Sequence, residues 1–575
     1  MSAFDWGVLA VTLTGIIAYG IWRSQPNAAR GRRSLDDYLL AGQSLPWYHV
    51  GLSVMATQAS AITFLSAPGQ GFTDGMRFVQ FYFGLPLAMV VLSVTFVPIF
   101  HKLRVFTAYE YLETRFDDRV RTLTAGLFLL QRGLSTGLSI YAPSIILSTI
   151  LGWNIYWTNL LMGGIVLGYT VTGGTKAISY THIQQMAVVT LAMGLAGFLT
   201  VSMLPDGVGF IDALHVAGKA GRMNVIDLNF DAESRYNIWS GLIGGFFLQL
   251  SYFGTDQSQV GRYLTGASIG QSRLGLLMNG LLKVPMQFLI LLVGVLVFVF
   301  YQFNPGPIFH NKLETDKLKN SPYARQYQLA EIRHQNIAAQ RQRAVLDMQA
   351  ALKTDDEAGQ TEAATLLHDT DAALKTVRAD VVKLIEKNNP AADTNDVNYI
   401  FLRFVLDYLP HGLIGLLIAV IFSASMGSIA SAYNSLASTT IIDVYKRLIR
   451  PEGSDRHFLR ASQWATVGWG VFCIVVAQFA NRLGSMIEAV NILGSLFYGV
   501  ILGVFVVAFY LKSIGGRATF WAAIIGEAFV ILSWYLQLTA FLWLNLIGCL
   551  LVVMLAWGLQ RLWGAERTEQ RDTPD

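Results

Sequence analysis

Apolar runs separated by short polar stretches recur along almost the whole chain, and few of them contain a charge. A helix needs about 20 residues to cross a hydrocarbon core, and about thirteen runs reach that length. They fall near residues 6–22, 47–72, 77–100, 120–150, 154–172, 182–204, 236–262, 275–302, 411–446, 458–483, 487–511, 517–537 and 539–561. One segment departs from the pattern: Asn304 to Val397 is polar, rich in Gln, Ala, Lys and Asp, and holds no run able to span. Within it Leu329, Ile332, Ile337, Val345, Met348 and Leu352 recur at helical spacing, and Leu366, Leu367, Leu374, Val377, Val381 and Leu384 do so again after Asp355, Asp356 and Gly359. That spacing predicts an antiparallel helical hairpin, read as a solvated cap outside the membrane. The chain then divides into spans 1–8 (residues 1–303), the insert (304–397), spans 9–13 (398–561) and a tail (562–575).

Composition agrees with an all-α polytopic membrane protein. The chain has 575 residues, 53% hydrophobic and 14% charged, with mean hydropathy +0.44, too apolar for a soluble protein of this length. The first span has no basic residue before it and no small-residue cleavage site after it, so it reads as a retained helix. Net charge is +4, and the basic residues gather in short loops rather than in a nucleic-acid motif. Arg23, Arg30, Arg32 and Arg33 follow the first span; Lys102, Arg104, Arg115, Arg119 and Arg121 the third; Lys446, Arg447, Arg450 and Arg456 the ninth. The excess of basic residues assigns these loops to the cytoplasm of a cell inner membrane. The N-terminus is then outside, and the tail with Arg561, Arg567 and Arg571 inside. Cys473 and Cys549 both lie in apolar spans, which argues against a disulfide framework.

Two spans are interrupted by polar and glycine residues. In ASAITFLSAPGQG, Ala59 to Gly71, the triplet Pro68, Gly69 and Gly71 weakens the second span, and an unwound backbone leaves carbonyls without intrahelical donors. Two readings stand on this stretch alone. The carbonyls and hydroxyls could cage a hard cation such as sodium, or the small residues could simply let helices approach closely. The seventh span carries the second interruption, QLSYFGTDQSQVGRYLTG, with Gln249 and Tyr252 placed to cover a solute or to make an ordinary interhelical bond. Each interrupted span is followed by four more, which suggests a five-plus-five arrangement with one span before and two after. The ninth span strings Ser423, Ser425, Ser428, Ser431, Asn434, Ser435, Ser438, Thr439 and Thr440 through an apolar helix, a polar face suited to a pathway.

The remaining intramembrane ionisable groups have structural readings first: charge balancing for Arg132 and Lys283, ion pairing for Asp256 and Arg262, and a tolerated interfacial place for His182. The chain contains no GxxxxGK[ST], HExxH or CxxC, which argues against an enzyme and against ATP-driven pumping.

The pieces SLDDYLLAGQSLPW (34–47), SAITFLSAPGQG (60–71), FTAYEYLETRF (106–116), YTVTGGTKAISYTHIQQM (169–186), YFGTDQSQVGRYL (252–264), LPHGLIGLLIAVIFSASMGSIASAYNSLASTTIIDVYK (409–446) and NILGSLFYG (491–499) together resemble the sodium:solute symporters. The resemblance implies a LeuT-like fold of two inverted five-helix repeats and transport of a small organic solute with sodium as the coupling ion and no cofactor. It places the sodium site on the carbonyls of Ala56, Ala59 and Ala424 and the hydroxyl of Ser428. Candidates for solute contact are Thr63, Tyr252, Lys283 and Asn491. Two departures matter: Gly427 precedes Ser428 where relatives often have two hydroxyl residues, and His182 stands where many have an aspartate, so one sodium per cycle is expected. The sugar-binding polar residues of glucose-type carriers are largely missing, and SAITFLSAPG is closer to the multivitamin and monocarboxylate branch. The alternatives are a proton-coupled symporter using His182, and a sensor or scaffold acting through the insert.

Overall fold

The computed structural model describes residues 1–24, 43–103, 105, 107–354, 356–390, 392–480 and 485–564, without the side chains of residues 21, 23, 24, 169, 172–178, 352 and 455. Arg30, Arg32, Arg33, Arg104, Asp355, Arg567 and Arg571, most of SLDDYLLAGQSLPW, and the side chains of Arg23 and Leu352 lie outside that description. The described residues are almost all helical, and ten helices are long and apolar enough to cross a membrane.

In chain order the helices are α1 (Ala3–Ser24), α2 (Trp47–Gln58), α3 (Ala61–Asp74), α4 (Leu85–Val94), α5 (Phe96–Leu103), α6 (Glu110–Arg115), α7 (Asp118–Leu151), α8 (Ile155–Ser202) and α9 (Phe210–Lys219). A π turn (Ser240–Gly244) leads into α10 (Gly245–Thr255), then α11 (Gln257–Tyr263) and α12 (Ile269–Phe303). The insert supplies α13 (Lys312–Lys319), α14 (Ala324–Lys353) and α15 (Glu357–Asn388). The rest are α16 (Val397–Tyr408), α17 (Leu413–Thr439) with a π extension to Ile449, α18 (Asp455–Ala477), α19 (Met486–Tyr510), α20 (Gly516–Tyr535) and α21 (Trp543–Trp563). Local chemistry sets many ends. Asp117 accepts from Val120 N at 2.9 Å to start α7, Ser268 accepts from Gln271 N to start α12, and Gly152 closes α7 in the left-handed conformation.

Three expectations change here. The runs at 154–172 and 182–204 are joined in one helical element, Ile155–Ser202, whose 48 residues would measure about 70 Å if straight. The third run is not one helix: a 3-10 segment, Gly75–Tyr82, precedes α4, and Thr95 separates α4 from α5. The insert is the expected hairpin, with α14 packed along α15, and Val345, Met348, Leu367, Leu374, Val377 and Val381 are buried. Leu329, Ile332 and Leu366 instead face out, because α14 and α15 also pack on other parts of the chain. Arg341 donates to Tyr301 O at 2.8 Å, Gln342 to Phe303 O at 2.7 Å and Gln349 to Gly207 O at 3.2 Å.

The N-terminus shares a face with the insert. Asp5 accepts from Gly412 N at 2.6 Å and from His411 Nδ1 at 2.9 Å, at the start of α17. At the other end of α17, about 40 Å away along the axis, Asp443 pairs with Arg121 at 2.7 Å, and Arg447 pairs with Asp118 at 3.0 Å. Arg121 and Arg447, from the third and ninth loops, therefore lie on the face opposite the insert.

Candidate functional site

The second run is broken at Ala59 and Ser60, not at Pro68. Ala59 (φ −84°, ψ 91°) and Ser60 (φ −105°, ψ −178°) are extended between α2 and α3, whereas Pro68 lies inside α3. Backbone bonds at the break run from Ala59 N to Met55 O and from Thr63 N to Ser60 O, both 3.0 Å. The Ala56 and Ala59 carbonyls thus fall outside the helical ladder, and Thr63 Oγ1 donates to Gln58 O at 3.4 Å. Gly69 and Gly71 have a different job. A Cβ on either would collide with a backbone oxygen, of Val397 and Leu291 respectively, so these glycines let α3 lie flush on α16 and α12.

The seventh run is broken at Asp256 (φ −76°, ψ 117°), between α10 and α11. Its carboxylate caps α11 by accepting from Ser258 N at 2.8 Å, accepts the Tyr498 hydroxyl at 2.8 Å, and lies 3.6 Å from Arg132 Nη1. Asp256, expected to make a structural pair, and Arg132, expected to balance a charge, are thus paired with each other. Arg262 reaches α17, where it donates to Ser431 Oγ.

Between the two breaks lies a cavity of ≈100 Å³. Thr57, Gln58, Ser60 and Thr63 line it from the first break, Gln249 and Tyr252 from α10, Ser428 from α17, and Asn491 and Tyr498 from α19. Of the eight sequence candidates, Thr63, Tyr252, Asn491 and Ser428 meet on this cavity. Ala56, Ala59 and Ala424 are buried, just before the break, at it and one turn before Ser428, but they are not among the residues that line the cavity. Lys283 does not line it: this side chain is buried on α12 with Nζ unpartnered, one turn from Gln287, whose Nε2 donates to the Tyr82 hydroxyl on the cavity wall at 2.9 Å.

On α7 sequence reasoning singled out Arg132 only, as a charge to be balanced, and not as part of a cavity wall. Gln131, Arg132, Ser135 and Ser139 line the cavity from one helix face, and their spacing of one and two turns was the available signal. Gln58 Oε1, Gln131 Oε1, Arg132 Nε and Gln249 Oε1 are buried without hydrogen-bond partners. A cavity wall with unmet donors and acceptors fits a polar guest.

His182 is not interfacial. It is fully buried, its Nδ1 lies 3.1 Å from Ser53 Oγ on α2, and its ring packs on Gly427 of α17. It is also absent from the cavity lining.

A helical bundle with two interrupted helices meeting at a buried polar cavity is an arrangement on which carriers of small solutes are built. The sodium:solute symporter family profile matches residues 38–312 and 381–526, and the chain belongs to that family. It is 35% identical to the human sodium/iodide cotransporter over 52% of this chain and 46% of that one. It is 26% identical to the human sodium-coupled monocarboxylate transporter 1 (87% and 68%) and 24% to the sodium/glucose cotransporter of Vibrio parahaemolyticus (92% and 83%). The chain thus spans about half the length of the iodide carrier it matches. The outward-open, substrate-bound structure of a Na+-coupled sialic acid symporter superposes with a TM-score of 0.75 at 21% identity, covering 98% of this chain and 99% of that one. The fold is therefore LeuT-like.

Proposed function

We propose that the chain is a sodium-coupled symporter that imports a small polar organic solute by alternating access. The observation that carries this reading is the break at Ala59 and Ser60, which takes carbonyls out of the helical ladder next to Gln58, Ser60 and Thr63 of the cavity that Ser428 also lines. Unpaired carbonyls inside a membrane cost several kcal/mol each unless something meets them, and a desolvated sodium ion is suited to that. Ala56, Ala59, Ala424 and Ser428 would hold the ion, tying α2 to α17, while Thr63, Tyr252 and Asn491 contact the solute. Lys283 would reach the solute only after a side-chain movement past Gln287. Sodium binding favours one conformation, so the solute meets a state already selected.

The same reading has thirteen spans in the cell inner membrane, the N-terminus and insert outside, and the tail in the cytoplasm. The placement of Arg121 and Arg447 on the face opposite Asp5 supports it. Proteoliposome uptake is the test, after a thermal-shift screen of sugars, carboxylates and vitamins with and without sodium has found a solute. Uptake should need an inward sodium gradient and fall steeply in Ser428→Ala. Uptake driven equally well by a pH gradient without sodium would overturn the assignment and favour proton coupling.

A further inference from the structure

A second recess, of ≈390 Å³, opens on the side of the bundle between the end of α8 and the middle of α12. Its walls are Val189, Met193, Gly197 and Val201 on one side and Met286, Ile290 and Val293 on the other, with Phe64 of α3 among its lining and Phe210 at the start of α9. Only Thr190 among the lining residues carries a polar side-chain atom, and its hydroxyl is already donated to Met186 O at 2.8 Å. Around it Leu191, Phe198 and Leu289 are 74%, 69% and 56% exposed, so the recess interrupts an apolar surface on two membrane-length helices.

Water does not fill an apolar recess of this kind, and leaving it empty forfeits the dispersion contacts of its whole lining. The abundant apolar species beside a membrane span is the lipid tail. No cation or hydrogen-bond donor inside the recess would hold a carboxylate, so the polar end of the occupant must lie outside. There α9 carries Ile211, His215 and Lys219 four residues apart and all exposed, an interfacial helix face with an apolar anchor and a basic end. We propose that this recess is a binding site for one acyl chain of a bilayer phospholipid, with the headgroup against α9 and the tail packed on Phe64. Phe64 is buried and adjoins Thr63 of the central cavity, so the lipid touches the helix that carries the break.

The experiment needs no solute and is independent of the transport reading. Purified protein is placed in vesicles of phosphatidylethanolamine and phosphatidylglycerol containing a phosphatidylglycerol with a diazirine on its acyl chain, irradiated, and mapped by peptide. Residues 189–201 and 286–296 should be labelled severalfold more than 521–536, which carries exposed Trp521, Phe529 and Leu532. Gly194→Phe should abolish that excess without changing the control stretch. A Cβ at Gly194 meets no atom within 4 Å, so the ring has room to enter the recess. Leu289→Trp serves as a second filling variant if the first does not fold, as judged by its melting temperature. Equal labelling of recess and control, labelling unchanged in both folded variants, or labelling by a diazirine fatty acid but not by the phospholipid would each overturn the proposal.

Discussion

The imidazole of His182 fills the space that a side chain at Gly427 would need: a Cβ there would sit 2.9 Å from His182 Nε2 and 2.8 Å from Gln185 Oε1. The two departures from the family pattern are therefore one packed unit. Gly427→Ser, which would restore a hydroxyl beside Ser428, must push a fully buried ring away from Ser53, and overpacking of this kind costs about 1–3 kcal/mol. The expected result is a lower melting temperature for Gly427→Ser and recovery in His182→Ala/Gly427→Ser. A single variant as stable as the parent would show that the ring yields freely.

Arg132 and Tyr498 line the cavity, and Asp256, 124 positions from Arg132 in sequence, holds both from behind: it pairs with the guanidinium at 3.6 Å and accepts the Tyr498 hydroxyl. Removing one partner of a buried pair leaves an uncompensated charge and costs about 3–5 kcal/mol. Asp256→Asn and Arg132→Met should each lower the melting temperature sharply, and the double variant should lose less than the sum. Additive losses would mean that the two groups do not stabilise each other.

These cases mark what the sequence could tell. The apolar runs, the serine face of α17 and the insert hairpin are periodic features within one segment, and spacing reveals them. The break at Ala59 and Ser60 is different. Neither residue is a helix breaker, while Pro68, which is, sits inside α3. The segment just before the break meets a distant one, as Thr57 Oγ1 lies 3.4 Å from Ser431 Oγ on α17. The same holds for His182, whose burial depends on α2 and α17 closing around it. Pairings across more than a hundred residues leave no local trace, which is why Arg132 read only as a charge to be balanced.

Gly294 of α12 faces Pro68 of α3 so closely that a Cβ would run into the Pro68 carbonyl oxygen. A backbone oxygen cannot swing aside as a side-chain end can, so Gly294→Ala must separate the helices. It should destabilise the protein by at least about 1–3 kcal/mol. Gly194→Ala, with nothing within 4 Å, should be neutral or gain up to about 1 kcal/mol from helix propensity. Equal melting temperatures for the two variants would remove close helix approach as the reason for the glycine at 294.

The junction between insert and bundle should make stability depend on pH. Asp393, between α15 and α16, is pushed up from 3.8 to about 7 by burial and by the charge of Asp396, against bonds from Asn395 N and the Tyr141 hydroxyl. Burial also raises Asp396, but there the His310 bonds and the Arg378 guanidinium win and hold it below its ordinary value. The two carboxyls are therefore shifted in opposite directions from the ordinary value. A carboxyl whose folded value is raised binds its proton more tightly in the folded state, so its contribution is complete below pH 4 and is lost as pH rises through 7. Asp396 contributes in the opposite sense, and its effect is lost only in strong acid. Between pH 4 and 7 Asp393 makes the melting temperature fall as pH rises, opposed below pH 6.5 by His334 of the insert, which burial lowers from 6.5 to about 4, and Asp393→Asn should remove the falling part of that slope while leaving the acid-side loss in place. His310 is joined to Asp396 and also stacks edge-on against Phe72 of α3 at 5.8 Å. A slope in Asp393→Asn as steep as in the parent protein would assign the pH dependence to another group.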